Sequence, residues 1–225
     1  MTASDSVKTR TATPHFRTLD GLAPYADTVA AMQAHAAAIR AGTADEAVWL
    51  VEHAPVLTGG TSAVQDDLVN PGDIAVHMTG RGGQWTYHGP GQRVAYVMLD
   101  LQRRTPDVRA YVHALEEWII TALATFGIAG KRRDGLPGIW VDSPMVAGRL
   151  DKIAAIGVRI SRWVTWHGVA INLDPDLTAF ESIVPCGVRD GGVTSFQQLQ
   201  VDADMADLDA ALCRCFGTVF RPVAD

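Results

Sequence analysis

The sequence predicts an α+β fold in which helices lie on one face of a mostly antiparallel or mixed sheet. Strand-like stretches outnumber stretches with helical periodicity. Two of the predicted strands are separated by a connection short enough for a hairpin, which requires antiparallel pairing. The helical stretches carry apolar residues on one side, so each helix has to bury that side against the sheet.

The first half of the chain contains one predicted helix and three predicted strands. Helical spacing begins at Tyr25 and continues through Val29, Met32, Ala36 and Ile39. The apolar run at residues 47–51, AVWLV, predicts a buried strand. Residues 94–101, VAYVMLDL, predict a second strand, and residues 74–78 are a weaker candidate.

The second half contains the longest predicted helix, at residues 107–126. Thr105 and Pro106 open this helix and Gly127 follows it, as is typical of helix boundaries. Strands are predicted at residues 138–141, 152–160 and 163–173, the last two forming a hairpin across residues 161–162. A helix at residues 204–219 closes the chain.

Composition and charge narrow the possible functions. The 225 residues predict one domain over 18–225, preceded by a flexible tail at residues 1–17. A net charge of −6 argues against nucleic acid as the main ligand, and no apolar run approaches membrane-spanning length. The tail lacks the apolar segment of a secretory signal, and the cysteines number three. These features predict a reduced, cytoplasmic protein.

Residues 81–92, RGGQWTYHGPGQ, form the most unusual segment and are predicted to be a loop. Five of the twelve residues are Gly or Pro, and functional side chains stand between them. Glycines allow backbone N–H groups to approach a ligand, and such groups bind anions or oxyanions. Arg81 can hold a charged group, while Thr86, Tyr87 and His88 offer polar contacts. The alternative interpretation is a plain turn between two strands.

Four polar residues have both a structural and a functional interpretation. Cys186 lies between Pro and Gly, which favours an accessible loop thiol over a buried core cysteine. Lys152 opens a strand, where a lysine is normally a solvated end. His88 and His167 each follow an aromatic residue and precede a glycine; taken singly, each is more often a satisfied polar residue than a catalyst.

Four sequence blocks together resemble the lipoyl(octanoyl) transferases. The blocks are RGGQWTYHGPGQ (81–92), KIAAIGVRI (152–160), WHGVAINL (166–173) and PCG (185–187). Their order, and the 186 − 152 = 34 positions between Lys152 and Cys186, also fit that family. The resemblance extends over residues 25–220, nearly the whole chain.

The resemblance implies a single domain of the biotin/lipoate protein ligase type that moves an octanoyl group from octanoyl-acyl carrier protein to a lysine. The implied acceptors are lipoyl domains of 2-oxoacid dehydrogenase E2 subunits and the glycine cleavage H protein. Cys186 is then the acyl-thioester nucleophile, Lys152 its activating cation and base, and His88 an assisting group. Implied substrate contacts are Arg81, Gly82, Gly83, Gln84, Trp85, Thr86, Tyr87, His88, Ala155, Ile156, Gly157, Gly168, Val169 and Ala170. A monomer without metal or cofactor is expected.

Two places depart from the family pattern. Asp151 precedes Lys152, where a small or neutral residue is expected, so the charge around the lysine is in question. Residues 55–60, PVLTGG, are a looser version of an early block, which bears on the edge of the acyl pocket.

Other functions remain open at this stage. A lipoate or biotin ligase would use ATP and need no nucleophilic cysteine. A non-catalytic module would bind a lipoyl domain without turnover, and a cysteine hydrolase would release octanoate. Acyl carrier proteins and lipoyl domains are typically acidic, so a basic docking patch is expected from Arg81, Arg159, Arg162 and residues 131–133. For residues 131–133, a solvated turn is an equally good interpretation.

Overall fold

Ten strands and three helices make up the described part of the chain, which in this computed structural model comprises residues 13–184 and 191–220. The strands are β1 (His15–Ala23), β2 (Ala47–His53), β3 (Val56–Gly59), β4 (Ala75–Met78), β5 (Trp85–His88), β6 (Gln92–Met98), β7 (Gly138–Asp142), β8 (Leu150–Ser161), β9 (Val164–Asn172) and β10 (Gly192–Val193). The helices are α1 (Tyr25–Arg40), α2 (Val108–Ala124) and α3 (Met205–Val219).

The strands form one large and one small sheet. The large sheet has the order β1-β2-β6-β9-β8-β10, and β7 pairs with β8 beside that path. Only the β1–β2 and β8–β10 pairs in this sheet are parallel. The small sheet has the order β4-β3-β5. The predicted mostly antiparallel, mixed sheet flanked by helices is therefore confirmed.

The helices cover both faces of the large sheet, so the prediction that they share one face is wrong. Helices α2 and α3 enclose the larger core with residues such as Val48 and Leu50, whereas α1 packs on the other face against Trp49 and Val51. Consecutive residues of a strand point to opposite faces. The unbroken apolar run of β2 therefore requires cover on both sides.

All three predicted helices are confirmed, with side-chain caps at two of their starts. Asp107 accepts hydrogen bonds from the Arg109 and Ala110 N–H groups, and Asp204 forms a capping box at the start of α3. The β8–β9 hairpin is also confirmed. Its two turn residues are Arg162 and Trp163, one position later than predicted, and both have positive φ angles (50° and 68°).

Four strands were missed, and two predicted boundaries are wrong. Strand β1 is mostly exposed, β3 and β5 have four residues each and β10 has two, so none carries a clear periodic signal. The predicted tail at residues 1–17 extends too far, because His15 to Arg17 pair with β2. Residues 81–92 are not one loop, because Trp85–His88 pair with β3. Residues 1–12 lie outside the described part, and the single domain over 18–225 stays a prediction.

In the described ranges, no helix has the length and hydropathy that would let it cross a lipid bilayer.

Candidate active site

A cavity of about 330 Å³ brings together nearly all the predicted contact residues. Its lining contains Lys152, His88 and every predicted substrate contact except Tyr87. The Tyr87 ring packs edge-on against Phe180, with 5.5 Å between ring centroids, in a separate apolar cluster. The prediction that Tyr87 contacts substrate therefore has no support from this geometry, because its ring fills the core of the small sheet.

The cavity exists because small residues face it from two adjacent strands, β8 and β9. Ala155 in β8 lies opposite Ala170 in β9, and the next pair on this face is Gly157 opposite Gly168. No larger side chain is possible at Gly168, where a Cβ would collide with the Ala95 carbonyl oxygen. The missing side-chain volume leaves space over the sheet, which suits an apolar ligand.

A β-bulge turns Lys152 into this cavity. Ile139 and Trp140 are consecutive in β7, but their partners in β8 are Ala154 and Lys152, so Ile153 is an extra residue. Ile153 and Ala154 both pack in the larger core, while Lys152 and Ala155 line the cavity. Without the bulge, strict alternation would place Lys152 on the same face as Ala154. The bulge therefore re-aims the lysine.

The ammonium of Lys152 contacts β7 and the residue that precedes this strand. The residue is only 6% exposed. Its Nζ donates a hydrogen bond to the Pro137 carbonyl oxygen at 3.2 Å and lies 4.6 Å from the Trp140 ring centroid. A carbonyl and an indole face both stabilise a cation, so these contacts help to accommodate a buried charge.

The carboxylate of Asp151 has its own partners. It accepts a hydrogen bond from Arg149 Nε at 2.8 Å and another from the Gly192 N–H at 3.0 Å. The structure thus answers the question raised by an acid next to Lys152. Asp151 pairs with an arginine and anchors β10 to β8.

Cys186 lies outside the described residues. Its predicted contact with Lys152 is therefore outside the described structure and stays a prediction. The described chain resumes at Gly191, and Val193 then pairs with Lys152 itself. Thr194 N–H also donates to the Lys152 carbonyl oxygen at 3.0 Å. On the other side, Val184 N–H donates to the Asp67 carbonyl oxygen at 2.8 Å. The segment that contains Cys186 is therefore followed, seven positions after the cysteine, by a strand residue beside Lys152.

Arg81 shapes the loop that starts at residue 81. Its buried guanidinium donates to the Thr58 carbonyl oxygen at 2.7 Å, to Thr58 Oγ1 at 2.8 Å and to the Gln84 carbonyl oxygen at 3.0 Å. These bonds tie the loop to β3. The sequence predicted a group that holds a charged ligand; in the structure the guanidinium holds backbone carbonyls.

His88 is a neutral imidazole with a defined tautomer. Its Nδ1 lies 2.6 Å from Gln92 Oε1. The Gln92 amide nitrogen donates to the Tyr87 carbonyl and to Asn172 Oδ1, so Oε1 is the acceptor and His88 Nδ1 carries the proton. Burial, followed by repulsion from His53, lowers the pKa of His88 to about 3. Its Nε2 is consequently a hydrogen-bond acceptor at neutral pH.

Two more buried histidines near the cavity were not among the predicted site residues. His53 Nδ1 donates to the Ala23 carbonyl at 2.8 Å, and the Tyr96 hydroxyl donates to His53 Nε2 at 2.7 Å. Burial lowers the pKa of His53 and lowers that of His167 to about 3. His167 lines the cavity, but its isolated WHG context carries no signal that separates a cavity residue from a core residue.

The left-handed backbone of His167 accounts for its position. Its φ angle is 59° in the middle of β9, a conformation that is costly for a residue with a side chain. Its ring stacks on that of Trp166, with 4.8 Å between centroids, although neighbours in a regular strand face opposite ways. In the described part of the chain, Nε2 is buried without a hydrogen-bond partner.

Some residues of the predicted basic docking patch already have partners within the chain. Lys131 pairs with Asp142 at 2.6 Å, Arg132 pairs with Glu117 at 2.6 Å, and the guanidinium of Arg133 lies 4.6 Å from the Trp140 ring centroid. These local partners favour the solvated-turn interpretation for residues 131–133. A second, open cavity of about 310 Å³ is lined by Arg40 and Arg159, next to the β8–β9 hairpin.

Comparison with known families and proteins gives consistent matches across the chain. Residues 24–217 match the lipoyl protein ligase A/B catalytic domain. The octanoyltransferase of Cereibacter sphaeroides strain ATCC 17025 is 59% identical over 208 residues, which cover 90% of this chain and 95% of that protein. The octanoyltransferase of Paramagnetospirillum magneticum is 58% identical over 205 residues, covering 91% of this chain and 96% of that protein.

Solved structures support the fold independently. The bipartite lipoate protein ligase of Thermoplasma acidophilum superposes with a TM-score of 0.69 at 14% sequence identity, covering 92% of this chain and 83% of that one. The predicted biotin/lipoate ligase-type architecture is therefore confirmed. At this identity the likeness concerns the fold and not the reaction.

Proposed function

We propose a covalent two-step mechanism for this cavity. The proposal starts from the family to which the chain belongs, the lipoyl protein ligase A/B catalytic domain family. The chain is an acyltransferase that transfers octanoyl groups in protein lipoylation. The observation that supports the mechanism most is the placement of Lys152, whose ammonium a bulge turns into a small-residue cavity. Val193, which pairs with this lysine, follows Cys186 by only seven positions.

The first step moves the acyl group onto the enzyme. The Cys186 thiolate attacks the thioester carbonyl of octanoyl-acyl carrier protein, a new carbon–sulfur bond forms, and the carrier leaves as a thiolate that takes up a proton. A free thiol is only about 3% ionised at pH 7, a deficit of about 2 kcal/mol. The Lys152 ammonium beside the thiolate removes this deficit by stabilising the anion.

The second step moves the acyl group to a lysine of the lipoyl domain. Near pH 7, only about one lysine amine in 2,500 is neutral, so the incoming amine has to lose a proton. Acylation removes the negative charge of Cys186, and a desolvated Lys152 then releases its own proton. The protonated amine first gives one proton to water. Neutral Lys152 then accepts the second proton from the attacking nitrogen as the amide bond forms, the thioester carbon–sulfur bond breaks and Cys186 leaves as a thiolate.

The hydrogen bonds of His88 limit the ways in which it can assist the reaction. Because its Nδ1 donates to Gln92, its Nε2 accepts hydrogen bonds and cannot donate one to a thioester carbonyl. We therefore assign His88 to orienting the incoming amine, as an acceptor that stays neutral throughout the physiological pH range.

The octanoyl chain would lie over the small residues of β8 and β9. Ala155, Gly157, Gly168 and Ala170 leave space for methylene groups, and burial of each such group contributes about 0.8 kcal/mol. The loop at residues 81–84 forms another wall of the same cavity. The Gly82 N–H donates to the Val158 carbonyl oxygen, so the N–H groups of Gly83 and Gln84 are the candidate contacts for the acyl carbonyl.

Lipoyl domains are the acceptors, as the octanoyltransferase relatives indicate. We further propose octanoyl-acyl carrier protein as the donor, the E2 lipoyl domains and the glycine cleavage H protein as acceptors, and a monomer acting in the cytoplasm. Arg159 and Arg162 lie near the second cavity and are candidates for docking these acidic partners.

The test combines purified enzyme with octanoyl-acyl carrier protein in the absence of ATP, followed by mass spectrometry of the intact enzyme. We expect one octanoyl adduct on Cys186 that is discharged by a lipoyl domain, and no adduct for Cys186→Ser. We expect Lys152→Arg to form the adduct but to transfer it slowly, because arginine retains charge but cannot serve as a base.

Other outcomes would redirect the assignment. ATP-dependent transfer with Cys186 dispensable would indicate a ligase. Octanoate as the main product would indicate a hydrolase. Binding of a lipoyl domain without turnover would indicate a non-catalytic module. Lys152→Arg with a full rate of amine transfer would reject the base role of Lys152.

A further inference from the structure

A single peptide group connects Lys152 with a buried carboxylate on α2. The Pro137 carbonyl oxygen accepts a hydrogen bond from Lys152 Nζ at 3.2 Å. The N–H of the same peptide group, on Gly138, donates to Glu116 Oε1 at 3.3 Å. One rigid, planar unit therefore has an ammonium at one end and a carboxylate at the other.

Glu116 is itself fixed in place. The residue is 4% exposed and lies at the edge of the larger core. Its Oε2 is 3.2 Å from Arg132 Nε and 3.2 Å from His113 Nδ1, which leaves Oε1 for the Gly138 N–H. A buried carboxylate requires such partners, so the whole set restrains the position of Oε1.

The backbone at Gly138 is equally restricted. Its φ angle is 130°, a region that residues with side chains rarely adopt. A Cβ at this position would lie 2.7 Å from the Ala154 carbonyl oxygen and 3.2 Å from Lys152 Cε. The peptide plane therefore lies directly against the lysine, and its rotation would move the acceptor that Nζ uses.

We propose that Glu116 is a positioning residue for Lys152 and acts through the Pro137–Gly138 peptide group. Its hydrogen bond sets the orientation of this peptide and polarises it, so the Pro137 oxygen becomes a stronger and better-placed acceptor. The ammonium is thereby held in the direction that the bulge gives it. This inference rests on the proposed function, because it assumes that Lys152 takes part in acyl transfer.

The sequence contains a faint sign of this role. Residue 116 falls four positions after Val112 and three before Ile119, within the apolar stripe of α2. Its neighbour Glu117 also pairs with Arg132, at 2.6 Å, but its side chain is 52% exposed. Glu117 therefore supplies a matched control of the same type on the same helix.

The experiment measures kcat and KM for octanoyl transfer to a lipoyl domain with Glu116→Ala, Glu116→Gln and Glu117→Ala. The concentration of active sites is counted from the burst of Cys186 octanoylation, so a loss of folded enzyme does not appear as a loss of rate. We expect Glu116→Ala to lower kcat about tenfold with little change in KM, as for one lost hydrogen bond to a charged group. Glu116→Gln, which keeps an acceptor oxygen, should recover most of the rate, and Glu117→Ala should match the wild type.

Several results would overturn the inference. A folded Glu116→Ala enzyme with the wild-type kcat would reject it, and so would Glu116→Gln if it were as slow as Glu116→Ala. Should Glu116→Ala fail to fold, Glu116→Leu fills the space without an acceptor and takes its place. If this variant also fails to fold, the residue serves stability alone and the inference is rejected.

A parallel measurement on Lys152→Ala separates this inference from the proposed function. Full activity of Lys152→Ala would overturn both. An inactive Lys152→Ala enzyme together with an unaffected Glu116→Ala enzyme would reject only the role of Glu116.

Discussion

The two faces of the large sheet are built from the same strands but differ in what they carry. On the face covered by α2 and α3, residues such as Val97, Val169 and Ile171 pack in a continuous apolar core. On the opposite face, the alternating positions of the same strands are Tyr96, Gly168 and Ala170, and they line the cavity. One face contributes stability through close packing, whereas the other leaves volume for a ligand.

Irregular backbone distinguishes the cavity face further. The extra residue Ile153 turns Lys152 into the cavity, and the left-handed φ angle of His167 turns its ring the same way. Regular alternation would have directed both side chains to the core face. The comparison teaches that this sheet gains its functional groups where strand geometry is broken and its stability where it is regular.

The largest expected effect is loss of catalysis from the cavity face without loss of stability. Lys152→Met should reduce octanoyl transfer by about a thousandfold, because the thiolate loses its cation and the amine loses its base. Melting temperature should stay the same or rise, since a buried ammonium is replaced by an apolar side chain. Transfer assays and thermal unfolding of the same preparation test this. A large drop in melting temperature would contradict the separation of stability from catalysis between the two faces.

A pair of neighbouring substitutions in β9 probes the two faces directly. Ile171→Ala leaves a cavity in the core and should lower the free energy of unfolding by about 2–5 kcal/mol, with little change in the rate of the folded enzyme. Ala170→Leu fills the ligand cavity and should slow octanoyl transfer while preserving transfer of shorter acyl chains. Denaturant unfolding and a donor series of decreasing chain length provide the measurements. The comparison fails if the two variants have the same profile.

The buried histidines of the cavity face should make stability depend on pH. The pKa values of His88 and His167 are lowered to about 3 in the folded protein, from a usual value of 6.5. The unfolded chain therefore binds more protons below pH 6.5, and stability falls as pH decreases from there towards 3. Between pH 6.5 and 5, each histidine should cost about 2 kcal/mol.

Unfolding measured across this pH range tests that expectation, with His167→Asn as the control. Asparagine tolerates a left-handed backbone and does not titrate, so this variant should show a weaker pH dependence. An unchanged slope would mean that His167 does not contribute.

The smallest effect is expected at a thiol far from the cavity. Cys213 lies on α3, is exposed, and has a pKa raised by partial burial and by Asp209. Cys213→Ser should therefore leave transfer and octanoyl adduct formation unchanged, in contrast to Cys186→Ser. Peptide mapping of the adduct provides the measurement, and an adduct on Cys213 would contradict the expectation.

Much of the architecture followed from local sequence features, and most cavity residues followed from the family resemblance. Periodicity indicated α1, α2 and α3, and the resemblance implied residues 81–88, Lys152 and residues 168–170, of which all but Tyr87 line the cavity. Sequence reasoning missed Glu116 and His53, because each has an ordinary local context, and it weighed His167 without including it among the site residues. It also placed all helices on one face, and it expected a substrate contact from Tyr87, whose ring packs against Phe180.

By itself, the sequence determined which residues can form helices and strands, because periodicity and caps act over a few neighbouring positions. It also determined where the reactive side-chain types stand along the chain. Only the tertiary structure decided which way Lys152 and His167 point and that Glu116 reaches the peptide beside Lys152. Those outcomes depend on strand register and on contacts between distant segments, which local patterns do not encode.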